Sequence, residues 1–149
     1  MIALARPVLG LSALSALAGV AWLSTALLAS PALTLHLSSA VAALALGIVI
    51  LLRRKGTGVH RLLGRIWVAL MSVAALSSFW LTGLREGLSP IHLLSVWTLA
   101  AMALAVYFIR KGDVKRHQRF MVGTFIGLAA AAMGALAPGR MLYRLFFGA

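Results

Sequence analysis

Four histidines are the residues of this chain with the clearest potential for chemistry: His36, His60, His92 and His117. Each stands at or just before the predicted start of an apolar helix. The positive end of the helix macrodipole disfavours imidazolium there and keeps imidazole in the neutral, metal-binding form. A lone histidine at the membrane interface commonly places its polar ring in water and binds no ligand. The repetition at four helices favours ligands over topology-setting cations.

Haem b is the cofactor that best suits such a donor set. The chain has no cysteine, and its two acidic residues, Glu86 and Asp113, fall in different loops. These facts exclude thiolate sites and paired-carboxylate catalysis, and leave zinc short of its usual protein ligands. Haem needs only two axial ligands, and Gly64, one turn after His60, would leave room for a flat macrocycle. Copper is an alternative, since Met121 lies four residues after His117.

Long apolar segments must position these histidines. The chain has 149 residues, is 62% hydrophobic and has a mean hydropathy of +1.03, which places it in the membrane class. Segments of ~20 apolar residues are long enough to cross a bilayer. The predicted spans are residues 7–29, 32–52, 62–84, 90–109 and 120–137. Residues 140–149 suit a short interfacial helix. We therefore predict an all-α integral membrane protein, a single-domain bundle of five transmembrane helices with an interfacial tail.

The net charge of +12 is concentrated in short loops between the apolar segments. That distribution is typical of topology signals and contacts with anionic phospholipids, and it argues against nucleic-acid binding. By the positive-inside rule, the N-terminus and both basic loops are cytoplasmic and the C-terminus lies outside. We expect a multi-pass protein of a bacterial inner membrane, with a periplasmic C-terminus.

This topology divides the histidines into two pairs, one near each membrane face. His36 and His92 would face the outer side, and His60 and His117 the cytoplasmic side. Propionates or lipid phosphates would meet nearby arginines, namely Arg61, Arg65, Arg119 and Arg140. The outer pair is the better candidate, since cations flank the cytoplasmic pair. The 25 residues from His92 to His117 span ~37 Å of helix, a long separation for rapid electron transfer.

The alternating histidines resemble those of transmembrane di-haem cytochromes b of the ascorbate-reducible type. In that family a four-helix core ligates one haem between its first and third helices and another between its second and fourth. The resemblance implies axial pairs His36/His92 and His60/His117.

A second resemblance rests on local motifs: His60 through Trp67, Ser89 through Ser95, Gly112 through Met121, and Pro138-Gly139-Arg140. Together they are similar to a family of small bacterial predicted membrane proteins catalogued as a domain of unknown function. This resemblance implies a multi-span fold and no established activity.

Three functions follow as hypotheses. The first is a haem b electron-transfer protein without independent enzymatic activity. The alternative is a non-catalytic accessory subunit of a larger respiratory or photosynthetic membrane complex, in contact with other membrane subunits. A small transporter is third, because membrane-embedded acids and paired broken helices are not evident.

Overall fold

The computed structural model describes residues 30–81 and 90–137. They form four α-helices: α1 (Pro31–Leu52), α2 (Gly58–Ser77), α3 (Pro90–Arg110) and α4 (Val114–Ala135), with a 3₁₀ turn at Ser78–Trp80. This confirms the all-helical prediction for the described part of the chain. The first predicted span, residues 7–29, and the predicted interfacial tail, residues 140–149, lie outside the described residues. Residues 31–129 form one compact unit, and residues 130–137 belong to a second.

Three of these helices are long and apolar enough to cross a membrane: Pro31–Leu52, Gly58–Trp80 and His92–Arg110. The sequence predicted four such spans within the described residues, and α4 does not qualify as the fourth. Its first two turns carry polar and charged side chains, which are Lys115, Arg116, His117, Gln118 and Arg119. The prediction of five spanning helices is therefore not supported, although α1 and α3 match their predicted limits within one residue.

Helix α2 begins at Gly58, four residues before the predicted start of the third span. Thr57 is its N-cap: the Thr57 side-chain oxygen accepts a hydrogen bond from the His60 main-chain N–H at 3.1 Å. Capping satisfies one of the free N–H groups of the first turn, so the helix extends back into the basic loop. Gly56 makes the preceding turn at φ +81°, a conformation that favours glycine.

Helix α4 also begins early, at Val114 instead of residue 120. The Asp113 carboxylate accepts a hydrogen bond from the Arg116 main-chain N–H at 2.9 Å and pairs with the Arg116 guanidinium at 3.3 Å. Gly112, at φ +79°, makes the turn that leads into this cap. The basic loop between α3 and α4 is consequently short, and His117 lies inside the first turn of α4.

The helices pack antiparallel in chain order. His36 and Ala43 of α1 contact Ala74 and Trp67 of α2, in reverse order along the two helices. The Trp67 indole N–H donates to the Ala43 carbonyl at 2.8 Å, and Trp67 is only 2% exposed. Such a bond satisfies the indole nitrogen away from water.

Ala43 and Trp67 form the core together with Met71 of α2 and Met102 of α3. Helix α4 packs against this cluster through Met121, Phe125 and Leu128. The core therefore joins all four described helices around a tryptophan and two methionines.

Gly47 permits a close approach between helices in this core. A Cβ atom there would lie 2.5 Å from Cδ2 of Phe125 and 2.9 Å from Nε1 of Trp67. Both neighbours are rings, which cannot move aside as a flexible side chain can. A small residue in α1 thus allows an aromatic side chain of α4 to reach the core, as small residues do between membrane helices.

Large apolar side chains point away from the core. Leu52 is 83% exposed, Leu93 75% and Trp97 63%, whereas Ala43 and Ala105 are fully buried. A soluble protein would leave such a surface in water at a large free-energy cost. This inverted pattern suits helices whose outer surface contacts lipid.

Candidate functional site

The antiparallel helices divide the polar side chains between two ends of the unit. One end, the serine end, contains His36, Ser77, Ser78, His92 and Ser95. The opposite end, the basic end, contains the loops at residues 53–57 and 111–113 with His60 and His117. The serine end gathers at the C-terminal end of α2, and the basic end at its N-terminal end.

At the serine end, His36 is held by the main chain of the neighbouring helix. Its Nδ1 lies 2.8 Å from the carbonyl oxygen of Ala74. Because a carbonyl can only accept, Nδ1 carries the proton in this contact. The other ring nitrogen, Nε2, then has a lone pair available for a ligand bond.

His92 of α3 packs at the same end, against the 3₁₀ turn that follows α2. It is 6% exposed, and its ring stacks on Phe79 with centroids 5.6 Å apart and planes at 21°. One turn later, the Ser95 hydroxyl lies 2.6 Å from that of Ser78, and both serines are buried. These two hydroxyls therefore satisfy each other inside the protein.

At the basic end, His117 repeats the contact made by His36. Its Nδ1 lies 2.9 Å from the carbonyl oxygen of Ala105 in α3, so Nδ1 again carries the proton. The two histidines lie on different helices and at opposite ends of the unit. In each, the tautomer leaves Nε2 as the nitrogen with the free lone pair.

His60 stands in the first turn of α2, at the same end of the unit as His117. The Nδ1 atom of His60 is buried and has no hydrogen-bond partner among the described residues. A buried nitrogen without a partner is unfavourable unless something else meets it.

Gly64, one turn along α2 from His60, borders open space. A Cβ added at Gly64 would meet no atom of the described residues within 4 Å. The expected room for a flat macrocycle beside His60 stays a prediction, because the same openness is found at most of the described glycines.

The predicted arginine partners lie at the basic end or outside the described residues. Arg61, Arg65 and Arg119 are exposed, and Arg140 is not described. The single salt bridge among the described residues joins Arg116 to Asp113 at 3.3 Å. Arg61, Arg65 and Arg119 are consequently free to meet an external anion.

Met121, the ligand in the copper alternative, packs against the core cluster. Among the described residues, no three histidine, cysteine or acidic side chains come together as a metal site would require. The described residues therefore hold no cluster of three or more such donors.

Sequence reasoning missed a groove between α2 and α3. Its volume is about 450 Å³. It is lined by Val68, Ser72, Leu99, Met102, Ala103, Val106, Tyr107 and Arg110. The spacing of residues 99, 103, 106 and 110 marks one face of a helix, and that periodicity could have indicated the groove wall. No histidine lines this groove.

Comparison with known proteins tests the family resemblance predicted from the sequence. No curated protein and no solved structure matches the chain. A family model described as "Predicted membrane protein (DUF2306)" matches residues 33–147. The match includes all three candidate spans from their first turn onward, and it confirms the family resemblance seen in the motifs around His60, His92 and His117. The chain therefore belongs to this family of predicted membrane proteins, whose function is unknown.

Proposed function

We propose that the protein binds haem b through histidine pairs and transfers electrons within a bacterial inner membrane. One observation carries the proposal: His36 and His117, one from each pair, donate Nδ1–H to a main-chain carbonyl of a neighbouring helix. Metal-ligating histidines almost always donate their second ring N–H to a carbonyl, carboxylate or water. That bond fixes the tautomer and the orientation of the ring.

The composition of each pair suits haem better than a free metal ion. Two neutral imidazoles complete the axial coordination of a haem iron, whereas zinc needs three or four protein ligands. Bound haem would supply one-electron redox chemistry. The chain's own residues hold and orient the group: His36 and His117 through their fixed tautomers, and His60 through a ring nitrogen that the fold leaves without a partner.

The surroundings of the basic end support the same proposal. A Cβ at Gly64, one turn after His60, would meet no described atom within 4 Å, and Arg61 and Arg65 form no salt bridge with a described acidic residue. Exposed guanidinium groups are suited to bidentate pairing with carboxylates such as haem propionates.

The test is a reduced-minus-oxidised absorption spectrum of the protein, purified after expression with haem supplied. We expect the α-band of a bis-imidazole haem and up to two haems per chain. His36→Ala and His117→Ala should each remove about half of the haem signal. Ser38→Ala and Gln118→Ala, exposed neighbours of the two histidines, are the matched controls. A folded wild-type protein without the band would exclude the proposal.

An accessory subunit without a cofactor is the second candidate. Leu93 and Trp97 are largely exposed on α3, and such a surface can meet another membrane subunit as well as lipid. Native mass spectrometry in mild detergent distinguishes the two candidates. A colourless chain in a stoichiometric assembly would favour the subunit, whereas a haem-loaded monomer would exclude it.

We further propose that the basic end is cytoplasmic. Its loops at residues 53–57 and 111–113 both carry exposed cations, and short cationic loops remain on the cytoplasmic side. A reporter that is active only in the cytoplasm should be active when it is fused after Gly56 and also when it is fused after Gly112. A periplasmic signal from either fusion would contradict this orientation.

A further inference from the structure

The groove between α2 and α3 has an apolar wall and one cationic end. Leu99, Met102 and Val106 form the α3 side of the wall, and Val68 contributes from α2. Ser72 also lines it, but its hydroxyl donates to the Val68 carbonyl at 2.9 Å. The serine therefore adds no unsatisfied polar group, and the wall suits a hydrocarbon chain.

Arg110 closes the groove at the basic end. It is exposed and forms no salt bridge, because the one acidic residue in the described part of the chain, Asp113, pairs with Arg116. Tyr107 lines the groove beside it, and the Lys111 ammonium lies 5.9 Å from the centre of that ring. Two cations, Arg110 and Lys111, therefore lie at one end of the apolar groove.

The same face of α2 adds further positive charge. Arg65 precedes Val68 by three residues, and Arg61 precedes Arg65 by four, so both continue the row formed by Val68 and Ser72. Residues with this spacing share one face of a helix. The charge beyond the apolar wall is therefore cationic on both helices.

We propose that this groove binds one anionic phospholipid, with an acyl chain along the apolar wall and the phosphate at Arg110. Charge complementarity selects the occupant: an apolar tail alone would leave Arg110 without a partner, and a soluble anion would leave the wall uncovered. The site contains no histidine and does not depend on haem. The groove would hold a phospholipid at one defined position beside the basic end.

The experiment is native mass spectrometry of the detergent-purified chain titrated with dioleoyl phosphatidylglycerol. The wild type should retain one lipid at collision energies that remove dioleoyl phosphatidylcholine. Arg110→Gln should lower retention about fivefold, the effect of one cation near an anionic headgroup. Arg110→Lys should retain most of the binding, and Ala103→Trp should lower it by filling the groove.

Arg53→Gln is the matched control, since Arg53 is an exposed cation in the loop outside the groove. An equal loss with Arg53→Gln would mean that surface charge alone binds the lipid. Equal retention of phosphatidylcholine, or undiminished binding in Ala103→Trp, would also overturn the proposal. So would displacement of the lipid by millimolar inorganic phosphate. If Arg110→Gln does not fold, Ala103→Trp against Arg53→Gln decides the question.

Discussion

The serine end and the basic end each contain two histidines, but they use their polar groups differently. At the serine end, His92 is 6% exposed and stacked on Phe79, and Ser78 and Ser95 bond to each other. At the basic end, the buried Nδ1 of His60 has no partner in the described structure, and Gly64 borders open space. Polar groups with internal partners stabilise a fold, whereas groups without them are available to a ligand.

This difference changes which pair we favour as a cofactor site. From sequence, the outer pair was preferred because apolar residues surround it. In the structure, the buried Nδ1 of His60 has no partner among the described residues, and a Cβ at Gly64 would meet none of their atoms within 4 Å. We therefore propose that the basic end is occupied first and that the serine end contributes more to stability.

The largest expected effect is on the free energy of unfolding, which a substitution at the serine end should lower more than one at the basic end. His92→Ala removes a buried, stacked ring and should lower the free energy of unfolding by about 2–4 kcal/mol, as other large-to-small core substitutions do. His60→Ala should change it by less than about 1 kcal/mol, because little packing is lost. Thermal unfolding in one detergent measures both. Equal losses would show that the ends do not differ as described.

Gly47 tests the core that joins the two ends. Gly47→Ala places a methyl group within 3 Å of the Phe125 ring and should destabilise the protein by about 1–3 kcal/mol through overpacking. Gly123→Ala, where a Cβ meets no described atom within 4 Å, should be neutral or stabilising by up to about 1 kcal/mol. The comparison uses the same unfolding measurement. A neutral Gly47→Ala would show that α4 does not pack closely on α1.

We expect the cap of α2 to contribute more to the stability of the basic end than the charges of its loop. Thr57→Ala removes the acceptor for the His60 N–H and should cost about 1 kcal/mol. Thr57→Ser keeps the acceptor and should behave as the wild type. Arg54→Gln, at an exposed position beside the cap, should change stability by less than about 0.5 kcal/mol. A larger effect of Arg54→Gln than of Thr57→Ala would reverse this assignment.

The smallest effect concerns the hydrogen bond between Ser78 and Ser95. A double-mutant cycle with Ser78→Ala and Ser95→Ala should give a coupling energy of about 0.6 kcal/mol, the average for bonds between membrane helices. Ser72→Ala, whose hydroxyl bonds within its own helix, provides a control with no coupling to Ser95. Zero coupling between Ser78 and Ser95 would mean that the serine end is not held by this contact.

The sequence predicts the limits of a helix well where hydrophobicity changes sharply along the chain. The limits of α1 and α3 are predicted within one residue because their apolar segments begin and end sharply. Helices α2 and α4 began earlier than predicted, since Thr57 and Asp113 cap them inside basic loops that were interpreted by charge alone. Both cap residues stand in the sequence, but the charge of these loops masks the helix starts that they make.

The sequence by itself determined a helical membrane protein of one family, with its histidines in the early turns of apolar helices. Apolar runs are local, so they can be identified without a fold. Only the tertiary structure decided that His36 meets Ala74, that His117 meets Ala105 and that Gly47 admits Phe125. Those contacts depend on how each helix is rotated about its axis. Rotation is set by the packing of several helices at once, and no local pattern in this chain specifies it.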